Sequence, residues 1–162
     1  MTTKSGEKKF LSFNDVVVER NGPSLARLDV HLNQKFFLKV LADGIIISTA
    51  SGSTAYSLSA GGSILHPQVS GKIMTPICSI TTSIKPVVVP DFIIITIKAS
   101  KDAKVKSRLA IDGHTIVIVD LEDIVTIRSS KFPMKFYVAS NINPLDHWAG
   151  KLGQIYHYQD PI

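Results

Sequence analysis

From Phe10 onward the chain is a succession of short runs rich in Val, Ile, Thr and Phe, each cut off by Gly, Pro, Asn or Asp. That punctuation constrains the fold more than any other feature, because strands of about four to eight residues joined by tight turns pack as antiparallel layers. Leu25–Leu32 is the clearest case: Leu25, Arg27, Asp29 and His31 alternate with Ala26, Leu28, Val30 and Leu32. A period of two marks a strand with one wet face. Asn33-Gln34 reads as its turn and Lys35–Leu41 as the returning strand. Further strands are expected at Val16–Arg20, Ile45–Thr49, Ile77–Thr82, Phe92–Ala99, Arg108–Ile111, Thr115–Val119, Asp123–Arg128 and Lys135–Ala139. Asp112-Gly113 between two of them is a strong hairpin signal. Helix is expected at Thr54–Ala60, stopped by Gly61-Gly62, and at Pro144–Leu152, with Asn143 as cap and Gly153 as stop. Residues 1–9 are polar and expected to be a disordered tail, leaving 10–162 as one domain. The expected fold is mainly β: a multi-stranded, mostly antiparallel, layered sheet domain with one or two short helices.

One stretch departs from strand-and-turn regularity, Ala42 to Pro67 (ADGIIISTASGSTAYSLSAGGSILHP). A β-branched run, Ile45 to Thr49, gives way to a Ser/Gly/Thr-rich turn, Ala50 to Thr54, and then to small, helix-tolerant residues. Main-chain N–H groups at a helix start are unpaired and favour an anion. Gly52 would admit close approach of a ligand, and Ser51, Ser53 and Thr54 would add hydroxyl donors and acceptors. Tyr56 offers an aromatic face for a base or nicotinamide ring. A Gly/Ser turn capped by Ser53 or Thr54 that merely starts a surface helix explains the same residues. The stretch is neither a Gly-x-x-x-x-Gly-Lys-Ser/Thr phosphate loop nor a Gly-x-Gly-x-x-Gly dinucleotide fingerprint.

Composition narrows the alternatives. The chain has 162 residues, 44% of them hydrophobic, enough for a sizeable core. A net charge of +5 suits a polyanion. The lysines are scattered, however, and lack interleaved aromatics, which argues against nucleic acid. The densest basic run, Lys98 to Arg108, reads as a solvated loop between strands. No apolar run approaches the ~18 residues of a membrane span. A single cysteine, Cys78, cannot form an intramolecular disulfide and agrees with a reducing compartment, the cytosol by default or an organelle matrix. The histidines His31, His66, His114, His147 and His157 lack metal-site spacing, and no Gly-x-Ser-x-Gly setting occurs. Neither metal nor catalytic residues are assigned.

Asp43-Gly44, Ile45-Ile46-Ile47 and Ser48-Thr49-Ala50-Ser51-Gly52-Ser53-Thr54-Ala55-Tyr56 are very similar to the signature of the NAD kinases. In that family Pro is usual at the position of Ala50 and Thr at that of Ser51. Asn14-Asp15 with Arg20 resembles the family's Asn-Glu segment, and Gly22-Pro23-Ser24 its Gly-Pro-Ser. His66-Pro67, Thr75-Pro76-Ile77-Cys78, Pro86 and Asp112-Gly113 follow in family order. The resemblance runs from Phe10 to the C-terminus and implies the family's β-rich C-terminal domain. The Gly-Gly-Asp-Gly motif of the family's ATP-handling half does not occur in this sequence.

The resemblance further implies NAD or NADP(H) as ligand. Asn14 would meet the adenine edge and Asp15 the ribose hydroxyls, since one carboxylate can accept from two vicinal hydroxyls. Asp43 would accept from the nicotinamide carboxamide. Thr54, Ala55 and Tyr56 would line the adenine and nicotinamide pockets, while Ser51 would lie near the sugar-phosphate. Asp112-Gly113 transfers least well, because a hairpin turn explains it. Where the family reads Pro-His-x-Leu-Ser-Phe-Arg-Pro, this chain has Ser79-Ile80-Thr81-Thr82-Ser83-Ile84-Lys85-Pro86. Lys85 keeps the charge of Arg but not its planar fork. The expectation is a pyridine-nucleotide-binding, homo-oligomeric domain that is not catalytic alone: a pseudoenzyme acting as sensor, regulator or scaffold. The alternatives are the substrate-binding half of an NAD kinase, completed by a chain carrying the ATP-binding half, and a structural oligomerisation module.

Overall fold

The computed structural model describes residues 1–3, 6–81, 84–132, 134–135, 137, 148–150 and 152–153, with the main chain alone at 3, 115 and 116. It divides into two units, Met1–Lys131 and Phe132–Ile162. The first unit contains β1 (Thr2–Thr3), β2 (Gly6–Glu7), β3 (Asp15–Arg20), β4 (Ala26–Leu32), β5 (Lys35–Ala42) and β6 (Gly44–Thr49). A 3₁₀ turn (Ser51–Thr54) and a short helix α1 (Tyr56–Ser59) follow. The remaining strands are β7 (Gly71–Ile77), β8 (Val87–Pro90), β9 (Ile95–Ala99), β10 (Ser107–Ile111), β11 (Thr115–Val119) and β12 (Ile124–Ile127). They form two six-stranded sheets, in the orders β2-β1-β12-β9-β4-β5 and β11-β10-β3-β6-β7-β8. All neighbours are antiparallel. In the second unit, residues 148–150 and 152–153 are helical; the rest of the helix expected at 144–152 lies outside the described residues.

The alternation read in the sequence decides which faces meet. Ala26, Leu28 and Val30 of β4 point inward, with Val18, Ile45, Ile47, Leu109, Ile95 and Ile97 of other strands in the same buried cluster. Each such side chain contributes roughly 1.5–3 kcal/mol by leaving water. Asn33 and Gln34 take φ of 46° and 70°, as a two-residue hairpin turn between right-twisted strands requires. Asp43 alone separates β5 from β6, so it marks the corner where the chain leaves one sheet for the other. Gly44 follows because a Cβ there would stand 2.7 Å from both Val18 O and Glu19 Cβ.

Several expectations are corrected. The strand expected at Ile77–Thr82 ends where it was to begin: β7 is Gly71–Ile77, and Cys78 turns away at φ 47°. Pro76 disguised this strand, since proline cannot donate to a ladder. Its place is permitted because β8 pairs only with Gly71–Met74, leaving β7 without a second neighbour at Pro76. β8 itself was not anticipated. Phe92–Ile94 lies in a turn, and β9 begins only at Ile95. Where fraying was expected at residues 1–9, Thr2–Thr3 and Gly6–Glu7 form a short ladder, with Thr2 opposite Ile124 of β12. Of the strand expected at 135–139, Lys135 and Tyr137 are not in strand and the others lie outside the described residues. Among the described residues no helix is long and apolar enough to cross a membrane.

The middle of the second sheet is buried on both faces. Its outer face carries Val17, Ile46, Ile73 and Thr75, and the segment with α1 packs over it. The tie is a buried hydrogen bond between the Ser57 and Thr75 hydroxyls, 2.9 Å long. Thr75→Val keeps the shape but strands the Ser57 hydroxyl. We expect a loss of about 1–3 kcal/mol in chemical denaturation, largely restored by adding Ser57→Ala. A double variant no more stable than Thr75→Val would refute that account.

Candidate functional site

The outer face of the second sheet holds a polar cluster at each end of β3. At its start, three consecutive main-chain N–H groups, of Phe13, Asn14 and Asp15, donate to the carboxylate of Asp112 at 2.7, 2.7 and 3.0 Å. The Ser12 hydroxyl donates to the same carboxylate at 2.8 Å. In return the Asp112 N–H donates to Asp15 O at 3.0 Å. Asp112 reaches them from the β10–β11 loop, where it and Gly113 adopt φ of 48° and 71°. Thr49 closes the other side. Its N–H donates to Asn14 O at 2.9 Å, its hydroxyl donates to Phe13 O at 2.8 Å, and the same hydroxyl accepts from Gly52 N–H at 2.9 Å.

These contacts separate the two carboxylates electrostatically. Burial opposes ionisation of Asp112, but the main-chain donors and Ser12 outweigh it and hold the carboxyl below its ordinary value. Asp15 is only 5% exposed. Burial first, and the Asp112 charge second, push its carboxyl upward.

At the far end of β3, Glu19, Arg20, Gly22, Pro23, Asp43, Tyr56, Ile77 and Arg108 line an open pocket of ≈ 350 Å³. Arg20 organises it. Its Nε lies 2.8 Å from Asp43 Oδ1, and its Nη1 donates to the carbonyls of Gly22 and Pro23 at 3.0 and 3.1 Å. Arg108 Nε donates to Glu19 Oε1 at 2.9 Å, as their cross-strand register dictates. Two cations against two carboxylates leave the rim near neutral. Burial and the nearby Glu19 raise the Tyr56 hydroxyl, so it stays a proton donor at neutral pH.

The expected site residues therefore fall into two groups. Asn14, Asp15, Ser51 and Gly52 gather around the start of β3, and Asp43 and Tyr56 at its end; Thr54 and Ala55 bridge them in sequence. Asp15 and Glu19, on one face of β3, are about 13 Å apart at strand rise. The main chain of Asn14 approaches Gly52 closely: a Cβ at Gly52 would lie 2.1 Å from Asn14 O. The Gly52 and Ser53 N–H groups donate to Thr49 Oγ1 and Ala50 O. Asp112, set aside as a turn residue, and Arg108, assigned to a solvated run, both belong to the clusters. The register of β10 against β3 is what brings them there. Ser79 and Ile80 turn back onto Leu41 O, at 3.3 and 3.1 Å, and Lys85 is exposed.

The profile of the ATP-NAD kinase C-terminal domain matches residues 13–139. A mitochondrial NADH kinase of Schizosaccharomyces pombe is 40% identical over 132 residues, 81% of this chain and 34% of that protein. An NAD kinase of Burkholderia thailandensis is 40% identical over 129 residues, 78% of this chain and 42% of its own length. The chain thus spans well under half of either relative. Among solved structures, an NAD kinase of Archaeoglobus fulgidus in complex with ATP superposes with a TM-score of 0.76 at 25% identity, covering 90% of this chain and 54% of that one. Yeast NADH kinase complexed with NADH gives 0.68 at 26% identity, covering 93% and 43%.

Proposed function

The chain belongs to the NAD kinase family through its C-terminal domain, and from that premise we propose that it binds a pyridine dinucleotide, NAD(H) or NADP(H), without transferring phosphate by itself. The supporting observation is the fixed start of β3, where the Asn14 backbone is pinned from both sides and the Asp15 carboxylate is buried beside it. A buried carboxylate is costly to ionise unless something accepts its charge, and vicinal ribose hydroxyls are suitable donors. The pocket around Asp43 and Tyr56 supplies an acceptor and an aromatic face for a carboxamide-bearing ring. Phosphoryl transfer needs in addition groups that hold a γ-phosphate and metal, and a base for the attacking hydroxyl. The Gly-Gly-Asp-Gly motif that supplies them in the family is not in this sequence.

The altered 79–85 segment favours a non-catalytic role, as sensor, regulator or scaffold, in a homo-oligomer. The small share of each relative that the chain spans favours a second reading, the dinucleotide-binding half of a kinase completed by other polypeptide. One set of measurements separates them. Calorimetric titration with NAD, NADH, NADP and NADPH is expected to show saturable binding of at least one, light scattering more than one copy per particle, and incubation with NAD, ATP and Mg²⁺ no NADP. NADP formation once a Gly-Gly-Asp-Gly-bearing half is added selects the second reading. Absence of binding by all four dinucleotides defeats both.

A further inference from the structure

Asp112 has more to do than close a hairpin. A hairpin residue is satisfied by its own loop, whereas the Asp112 carboxylate spends both oxygens on a segment 97 to 100 residues away in sequence. Its four donors are Ser12 Oγ and the N–H groups of Phe13, Asn14 and Asp15. Three consecutive amides converging on one anion hold the main chain between them, that of Phe13 and Asn14. Asp15 is tied on its other side, its carbonyl accepting from Asp112 N–H at 3.0 Å. The Ser12 hydroxyl also lies 2.8 Å from Asp15 O, so its single proton is shared between that carbonyl and the Asp112 carboxylate. On the opposite side the Asn14 carbonyl is held by Thr49 N–H, with Gly52 in contact behind it.

We propose that Asp112 is a positioning residue for dinucleotide binding: its carboxylate sets the backbone from which the Asn14 and Asp15 side chains project, and it does not itself touch the ligand. The inference rests on the reading that Asn14 and Asp15 contact the dinucleotide. The charge of Asp112 also acts on Asp15 directly, since the two carboxylates repel. A strand entry held by a neutral acceptor would retain the shape only in part. An asparagine amide oxygen can still accept from main-chain N–H groups, but its NH₂ would face the remaining donors; alanine accepts none.

The test compares Asp112→Asn, Asp112→Ala, Ser12→Ala and Asn14→Ala in calorimetric titrations with NAD and NADH, each variant's melting temperature being recorded. Val125→Ala, which opens a cavity in the core with Val125 only 3% exposed and well away from β3 in sequence, serves as the destabilised control. Affinity is expected to fall at least tenfold in Asp112→Ala, less in Asp112→Asn and about threefold in Ser12→Ala. Val125→Ala should bind as the parent does, though it melts earlier. Ser12→Ala removes one donor of four, so it reports even where Asp112→Ala fails to fold. Asn14→Ala weakened with Asp112→Asn and Ser12→Ala unchanged would overturn the positioning role and spare the binding site. Asn14→Ala unchanged in a chain that binds would overturn both. A loss in Val125→Ala equal to that in Asp112→Asn would reduce the effect to stability and overturn the proposal.

Discussion

Replacing Gly52 by alanine is expected to destabilise the fold by about 3 kcal/mol or more, well beyond an ordinary surface change. The added Cβ would stand 2.1 Å from Asn14 O and 2.6 Å from the Asn14 C and Cα atoms, all of them main chain. Main chain yields only by moving a whole segment, and this one cannot move freely. The Asn14 carbonyl is bonded to Thr49 N–H, and the amides around it to Asp112. Relieving the clash therefore breaks hydrogen bonds worth roughly 1 kcal/mol each in addition to the overpacking itself. For a chain of this size the melting temperature should drop by roughly 10 °C. Gly71→Ala is the natural comparison. A Cβ there meets Leu65 Cδ2 at 3.2 Å and Val89 O at 3.3 Å, contacts that small adjustments relieve. If scanning calorimetry gives the two variants melting temperatures within a couple of degrees of each other, the close approach of Asn14 to Gly52 is not what requires glycine.

That glycine illustrates what sequence alone could and could not disclose. The alternation at Leu25–Leu32 and the turn at Asn33-Gln34 are local statements. Period two and tolerance of positive φ are written into consecutive residues, and the structure carries them through. The position of Gly52 as a special residue was legible for the same reason. Its cause was not, because the atom that demands it belongs to Asn14, 38 positions away in number (52 − 14). The role of Asp112 was hidden more deeply. A carboxylate one residue before a glycine looks like a turn, and nothing in its neighbourhood names partners on an adjacent strand nearly a hundred residues away in sequence. β7 failed in the opposite way: Pro76 argued locally against a strand that the pairing of β6 requires. Residues that act through long-range pairing become visible only once the register is known.

The second large effect is expected at Asp15, where stability and binding should move in opposite directions. The carboxyl is raised above its ordinary value of 3.8 by burial and by Asp112. Over the interval from 3.8 up to that raised value, the folded chain holds more protons than the unfolded one. Stability therefore falls as pH rises through that interval, and above it the ionised Asp15 detracts from folding. Asp112 has the reverse sign: lowered in the folded chain, it supports folding above its unfolded value and loses that effect as pH falls through the folded one. Asp15→Asn removes the unfavourable charge and should raise the melting temperature of the free protein at pH 7. The gain should shrink as pH falls through the raised value, where the parent carboxyl protonates. An amide has one acceptor oxygen where a carboxylate has two, so the variant is expected to bind a dinucleotide roughly tenfold or more weakly. A residue kept for packing would show neither signature. A lower melting temperature at pH 7 together with unchanged affinity for NAD and NADH would mean that the Asp15 charge is neither a burden on the fold nor a contact with the ligand.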